Sequence, residues 1–150
     1  MQRKSWSSQI GFALLLATSL NAAAADITVF KTKTCGCCAK WNDHLRSNGF
    51  KLTVNEVPST AEYRQRYGVP EKLQSCHTAV VEGYTIEGHV PAADILRLLK
   101  EKPKAKGLAV PGMPAGSPGM EGARRDAYTV VRFDEGGQLS SYQKYPGDTR

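Results

Sequence analysis

The sequence predicts a mixed α/β fold built around one compact core. Three observations support this class: the chain has 150 residues, short β-branched runs alternate with segments of helical apolar spacing, and the composition is ordinary for a globular protein. With 41% hydrophobic and 23% charged residues, neither a disordered chain nor a polytopic membrane protein fits.

The first 24 residues predict a cleaved export signal. Arg3 and Lys4 precede an apolar run over residues 10–20, which leads into alanines 22–25. This run is about half of the ~20 apolar residues that a membrane-spanning helix needs. We therefore expect cleavage after Ala24, export of the mature chain and no stable membrane insertion afterwards.

The positive charge of the chain does not indicate a nucleic-acid partner. Loss of Arg3 and Lys4 lowers the formal net charge from +6 to +4, because residues 1–24 contain no acid. Several of the remaining bases crowd around one proline and are typical of a solvated linker: Lys100, Lys102, Lys104 and Lys106. We expect no nucleic acid among the partners.

A strand followed by a helix opens the mature chain. Ile27 to Lys31 is a β-branched and aromatic run that suits a buried strand. Cys38, Trp41 and Leu45 recur with helical spacing, and Asn48-Gly49 is a helix stop signal. The motif Cys35-Gly36-Cys37-Cys38 therefore lies between a strand and the beginning of a helix.

The elements that follow complete a recognisable order. They are a strand over residues 51–57, a short helix to Tyr67, a hairpin of residues 78–82 and 84–87, and a helix over residues 94–99. The order strand, helix, strand, helix, strand, strand, helix is that of the thioredoxin fold. We expect a thioredoxin-like β-α-β-α-β-β-α core in residues 25–105, with its CxxC position occupied by Cys35 and Cys38.

Residues 106–150 predict a loop and a C-terminal hairpin that pack on this core. Gly107 to Gly122 is rich in Gly and Pro, which excludes a helix or a central strand in that stretch. Tyr128 to Phe133 and Leu139 to Tyr145, joined by a polar Gly-containing segment, predict the closing hairpin.

The positions of the four cysteines favour a reactive or metal-binding role over structural disulfides. An exported chain with four Cys could form two structural disulfides, but about 126 residues bury an adequate core without them. Cys35 and Cys38 lie where a helix begins, and the free amide donors and dipole there favour the thiolate form. A bridge between them would close too short a loop to stabilise the fold much.

Two further cysteines favour a metal over disulfide exchange. A third thiol at Cys37 would compete with the attacking and resolving sulfurs, whereas a soft metal gains from every additional thiolate. Cys76 and His77 directly precede the third predicted strand, where the thioredoxin fold carries a proline that faces the CxxC. If the fold is right, they point towards Cys35 and Cys38.

Methionines and histidines add soft and borderline donors. Met113 and Met120 lie in the Gly/Pro loop, and a thioether suits Cu(I) but is of little use to zinc. His89 follows a predicted strand at the expected end of the sheet, and imidazole also accepts Cu(II). His44 is about 10 Å of helical rise from Cys37, so we expect a surface role outside the site.

The sequence resembles the small periplasmic CopG family of copper-resistance proteins, formerly a domain of unknown function. The residues that carry the resemblance are Cys35-Gly36-Cys37-Cys38 with Trp41, Ser75-Cys76-His77-Thr78, Gly88-His89-Val90-Pro91, and the stretch from Gly107 to Glu121. The resemblance implies a thioredoxin-like fold, a periplasmic location, a copper cluster bridged by the four cysteines and a role in interconverting Cu(I) and Cu(II).

These observations predict a periplasmic copper-binding protein of copper resistance, with copper ions and other periplasmic copper-handling proteins as partners. The expected ligands of a polynuclear Cu(I)/Cu(II) cluster are Cys35, Cys37, Cys38, Cys76, His77, His89, Met113 and Met120. Whether the protein is also a copper oxidoreductase stays open. The alternative is a thiol-disulfide oxidoreductase in which Cys35 attacks and Cys38 resolves. A structural zinc module is disfavoured because the cysteine spacing lacks paired zinc knuckles.

Overall fold

A computed structural model describes residues 25–148, so the predicted export signal lies outside the described residues. The elements are β1 (Asp26–Lys31), α1 (Gly36–Ser47), β2 (Lys51–Glu56), α2 (Ala61–Arg66), a 3-10 turn (Glu71–Leu73), β3 (His77–Val81), β4 (Tyr84–Glu87), α3 (Ala92–Glu101), β5 (Gly107–Ala109), β6 (Tyr128–Phe133) and β7 (Leu139–Tyr145). The predicted α/β class is confirmed. Within this part of the chain, no helix is both long enough and apolar enough to cross a bilayer.

All seven described strands form one sheet in the order β2-β1-β3-β4-β5-β6-β7. Strand β1 is parallel to β2 and antiparallel to β3, and β4 is antiparallel to β3 but parallel to β5. The parallel pairs need crossover connections, which α1 and α3 supply. The C-terminal strands β6 and β7 add an antiparallel hairpin to the same sheet.

The expectation that residues 107–122 contain no central strand was wrong for the first three residues. Gly107–Ala109 lies between β4 and β6, with Gly107 opposite Thr85. A Cβ at residue 107 would collide with the Thr85 backbone, so glycine is what permits this close pairing. Leu108 and Ala109 are fully buried, which gives the short strand an apolar anchor on each face of the sheet.

The two faces of the sheet carry separate apolar clusters. The larger cluster packs α1 and α3 onto the sheet. It includes Trp41 and Leu45 of α1, Ile95 and Leu98 of α3, and strand residues such as Leu108. The smaller cluster consists of Val69, Leu73, Ala109 and Phe133. Because Leu108 and Ala109 are neighbours in one strand, the clusters lie on opposite faces. Helix α1 therefore packs against the sheet, and its first turn lies at the end of the sheet where β1 ends and β3 begins.

Candidate metal centre

Three elements bring the four cysteines together at one end of the sheet. Cys35 is the N-cap of α1, Cys37 and Cys38 lie in its first turn, and Cys76 directly precedes β3. Strands β1 and β3 are antiparallel, so the exit of β1 into α1 lies beside the start of β3. As a result, all four sulfur atoms lie within 4.8 Å of one another.

The cysteines differ in bonding and exposure. Cys35 and Cys38 are joined as a disulfide across the first turn of α1, with their Cα atoms 5.4 Å apart. Cys37 and Cys76 are free thiols, and the Cys37 sulfur lies 3.5 Å from that of Cys35. The cluster therefore contains two free thiols in the disulfide-bonded state and four after the disulfide is reduced.

Two buried histidines extend the sulfur cluster with nitrogen donors. The Cys76 sulfur is 3.3 Å from His77 Nδ1 and 3.0 Å from His89 Nε2. His89 Nδ1 lies 2.7 Å from the Pro118 carbonyl, which only accepts, so the proton is on Nδ1 and the lone pair of Nε2 faces Cys76. A backbone carbonyl of this kind fixes the ring orientation of a metal-binding histidine.

Trp41 supports the second imidazole. Its ring centroid lies 4.2 Å from that of His77, and its indole N–H donates to the Val90 carbonyl at 2.9 Å. His77 is fully buried, and its Nε2 is one of the buried polar atoms among residues 25–148 that have no hydrogen-bond partner. The imidazole is thus held by packing and by its neighbour Cys76.

The environment favours the neutral forms of His77, His89 and Cys76. Burial, with His89 nearby, lowers the pKa of His77 to about 3. Burial also lowers the pKa of His89, although the Pro118 carbonyl acts in the opposite direction. Burial and the adjacent Cys37 raise the pKa of Cys76 to about 12. A metal that binds here meets imidazoles in their coordinating neutral form and must displace the Cys76 proton.

The structure treats the two methionines differently. The Cys37 thiol donates to Met113 Sδ at 3.9 Å, and Met113 is 52% exposed at the mouth of the cluster. Met120 lies in the same loop, where its backbone makes 2.8 Å hydrogen bonds with Ser117 and Gly116. Among the described residues, a cysteine thiol makes a hydrogen bond to the Met113 sulfur and none to the Met120 sulfur.

The loop that carries both methionines lies directly on α1. Gly119 has a φ of +88°, and a Cβ there would come within 2.7 Å of the Cys37 carbonyl oxygen and 2.8 Å of the backbone nitrogen of Trp41. Its N–H donates to Glu121 Oε1 at 2.8 Å. This close approach carries the neighbouring Pro118 carbonyl to His89, so the loop forms one wall of the site.

Sequence reasoning assigned no site role to Glu87 or Pro118. Glu87 Oε1 accepts the Ser75 N–H and Oε2 accepts the Thr78 hydroxyl, both at 2.7 Å. Burial raises the pKa of Glu87 to about 7. A charged residue that ends the apolar strand β4 was the available signal for Glu87. Pro118 acts through its backbone carbonyl, which leaves no signal in the side-chain pattern.

His44 lies outside the cluster but is more than a surface residue. It is half-buried, and its Nε2 accepts the Ala92 N–H at 3.1 Å, at the beginning of α3. Burial lowers the pKa of His44 despite the opposing charge of Glu121. The expected surface role is therefore corrected to a link between α1 and α3.

Comparison with known proteins identifies a matching family and related solved structures. The family model described as "Protein of unknown function, DUF411" matches residues 73–120, which include Cys76, His77, His89 and both loop methionines. Curated proteins contain no match.

Two solved structures match most of the chain. "Copper resistance protein copG- Form 1" is 50% identical, with a TM-score of 0.78, over 83% of this chain and 99% of that one. "Copper resistance protein copG- Form 2" is 49% identical, with a TM-score of 0.78, over 82% and 99%. This chain belongs to the family of the copper resistance protein CopG.

Proposed function

We propose that the protein binds copper in copper resistance and homeostasis, in a polynuclear cluster bridged by Cys35, Cys37, Cys38 and Cys76. The observation that carries this proposal is the convergence of four sulfur atoms within 4.8 Å of one another. Thiolates are the ligands that Cu(I) prefers, and a bridging sulfur can serve two ions at once. The solved relatives at about 50% identity are named as copper resistance proteins, which supports the choice of metal.

Redox interconversion of copper is part of the proposal. Reduction of the Cys35–Cys38 disulfide by two equivalents of a thiol, which leave as a disulfide, yields two thiols that release their protons and bind copper as thiolates. The imidazoles of His77 and His89 tolerate Cu(II), whereas the sulfurs favour Cu(I), so a mixed ligand set suits both states. Met113 and Met120 complete the proposed ligand set on a loop that covers the site.

The location and architecture follow the same reasoning. The proposed export signal in residues 1–24 directs the chain to the periplasm, where other copper-handling proteins are its partners. We assign residues 25–105 to a thioredoxin-like core and residues 106–150 to a loop and hairpin extension. The parallel β1–β2 pair joined by α1, next to the antiparallel β3–β4 hairpin, supports this assignment.

Copper loading tests the cluster directly. Reduced protein is titrated with Cu(I) without oxygen, and bound copper per chain is measured after desalting. We expect two or more Cu(I) per chain with ultraviolet thiolate-to-copper absorption, and a lower ratio in Cys76→Ser. We also expect a lower ratio in His89→Ala, and an unchanged ratio in the matched control His44→Ala, because His44 lies outside the cluster. Fewer than two Cu(I) per wild-type chain would overturn the cluster.

The disulfide at the beginning of α1 favours a second candidate, a thiol-disulfide oxidoreductase. In that reaction Cys35 attacks a substrate disulfide and Cys38 resolves the mixed disulfide. This candidate predicts that Cys35→Ser abolishes insulin reduction while Cys76→Ser spares it. The copper proposal predicts instead that the wild type reduces insulin disulfides at a negligible rate. It also predicts that both variants bind less copper per chain than the wild type.

A further inference from the structure

A buried carboxylate lies directly behind the copper-site residues Cys76 and His77. Glu87 ends β4, is fully buried and forms no salt bridge among the described residues. Its Oε1 accepts the Ser75 N–H and its Oε2 accepts the Thr78 hydroxyl, each at 2.7 Å. Since Ser75 and Thr78 flank the Cys76-His77 pair, one side chain holds both ends of this ligand segment.

The same hydrogen-bond network continues to the loop that carries Met113 and Met120, which we call the methionine loop. The Ser75 hydroxyl donates to the Gly112 carbonyl, and the Gly112 N–H donates to the Gln74 carbonyl at 3.2 Å. These two hydrogen bonds tie the segment before Cys76 to the residue before Met113. A displacement of Ser75 therefore moves a thiol and a thioether together.

Backbone hydrogen bonds fix Glu87 itself. Its carbonyl accepts the Val110 N–H at 3.0 Å, and the neighbouring Gly88 N–H donates to the His77 carbonyl at 3.0 Å. Glu87 also pairs with Thr78 in the β3–β4 ladder and with Ala109 in β5. The carboxylate is thus presented from a rigid strand, as a precise positioning group requires.

We propose that Glu87 is a positioning residue of the copper site. It sets the position of Cys76 through Ser75 and Thr78, and the position of Met113 through Ser75 and Gly112, so that both sulfurs meet the cysteines of α1. This inference rests on the copper-binding function proposed above. Groups that support metal ligands in this way typically change metal affinity by about 10- to 100-fold when removed.

The decisive comparison is Glu87→Ala against Glu87→Gln. Glutamine keeps an oxygen for the Ser75 N–H and an amide that donates to the Thr78 hydroxyl, whereas alanine offers neither. We expect Glu87→Ala to weaken Cu(I) binding by about tenfold or more in competition with a chelator, and to shift the thiolate-to-copper absorption. We expect Glu87→Gln to restore both to near the wild-type values.

Apo protein gives a second readout, independent of copper. We expect iodoacetamide to alkylate Cys76 several-fold faster in Glu87→Ala than in the wild type or Glu87→Gln, as measured by mass spectrometry. The wild type and Glu87→Gln are the matched references, because both keep an acceptor for the Ser75 N–H. If the wild type fails to bind copper but Cys76 shows this pattern, the proposed function fails while the positioning role stands.

A double-mutant cycle covers the case in which Glu87→Ala does not fold. Ser75→Ala removes the hydrogen bond to the Gly112 carbonyl, and Met113→Leu removes the thioether that this hydrogen bond positions. Because both changes act on the same contact with the site, we expect their effects on Cu(I) affinity to be non-additive. Additive effects would overturn the link to Met113. The positioning role would be overturned if folded Glu87→Ala kept the wild-type copper affinity, absorption spectrum and rate of Cys76 alkylation. It would also be overturned if Glu87→Gln and Glu87→Ala lost copper affinity equally.

Discussion

At the scale of single residues, the candidate ligands differ in their access to solvent. Met113 is 52% exposed and Cys37 is partly exposed, whereas His77 and His89 are fully buried. The sulfurs of Cys37 and Met113, a ligand type that prefers Cu(I), are therefore the more accessible ones, whereas Cys38 and both imidazoles are fully buried. Burial lowers the pKa of His77 to about 3 and also lowers the pKa of His89, which favours the neutral form of both imidazoles.

His44 gives a pH-dependent prediction outside the cluster. Only neutral His44 accepts the Ala92 N–H, and its folded pKa lies below the ordinary 6.5, so its stabilisation is present above pH 6.5 and lost as the pH falls through the folded pKa. We expect His44→Ala to cost about 1 kcal/mol of unfolding free energy at neutral pH. The cost should shrink as the pH falls below 6.5 and through the folded pKa.

Urea unfolding of both proteins at several pH values measures this difference. Because His77 and His89 are present in both proteins, their own titration cancels in the comparison. A cost that stays constant over the whole range would contradict the role of neutral His44 as an acceptor.

Residue spacing predicted the thiols but not their supporting groups. Cys35, Cys37 and Cys38 stand at one helix start, and Cys76 precedes a strand, so the expected order of elements already placed them near one another. Glu87 supports Cys76 through a backbone amide twelve residues earlier in the chain, a contact that appears only once the β3–β4 register is known. Pattern analysis contains no such information.

At the scale of elements, the close contact between the methionine loop and α1 depends on Gly119. We expect Gly119→Ala to lower the free energy of unfolding by about 2 kcal/mol, because alanine is strained at a φ of +88° and its Cβ would press on the α1 backbone. Gly122→Ala is the matched control, since a Cβ there meets nothing within 4 Å.

Thermal unfolding and Cu(I) competition on both variants check this prediction. Gly119→Ala should also weaken copper binding, because the loop that carries Met113 and the Pro118 carbonyl is displaced. Equal stability and equal affinity in the two alanine variants would show that the loop does not need its close approach to α1.

Most of the elements were predictable, and the shortest strand was not. The apolar stripe of α1 reaches over two helical turns, and the observed bounds of α1, β6 and β7 agree closely with the predicted ones. Strand β5 has three residues, too few to show alternation, and starts with a glycine that usually weakens a strand. Its position is decided by tertiary contact with Thr85, which local pattern cannot express.

At the scale of the whole molecule, the site joins segments that are far apart in the sequence. Its residues come from the start of α1, the start of β3, the segment after β4 and the loop after β5. A bound copper cluster would therefore cross-link both halves of the sheet. Binding to the native state alone raises global stability by mass action.

Copper should consequently stabilise the reduced protein as a unit. At free Cu(I) about 100 times above the dissociation constant, we expect an increase of about 2.7 kcal/mol in unfolding free energy and roughly 10 °C in the thermal midpoint. The fluorescence of the fully buried Trp41 follows unfolding. Protein that keeps the Cys35–Cys38 disulfide lacks two of the four thiols and should gain less. The same midpoint increase in Cys76→Ser as in the wild type would contradict a cluster that spans the sheet, because stabilisation would then come from copper bound elsewhere.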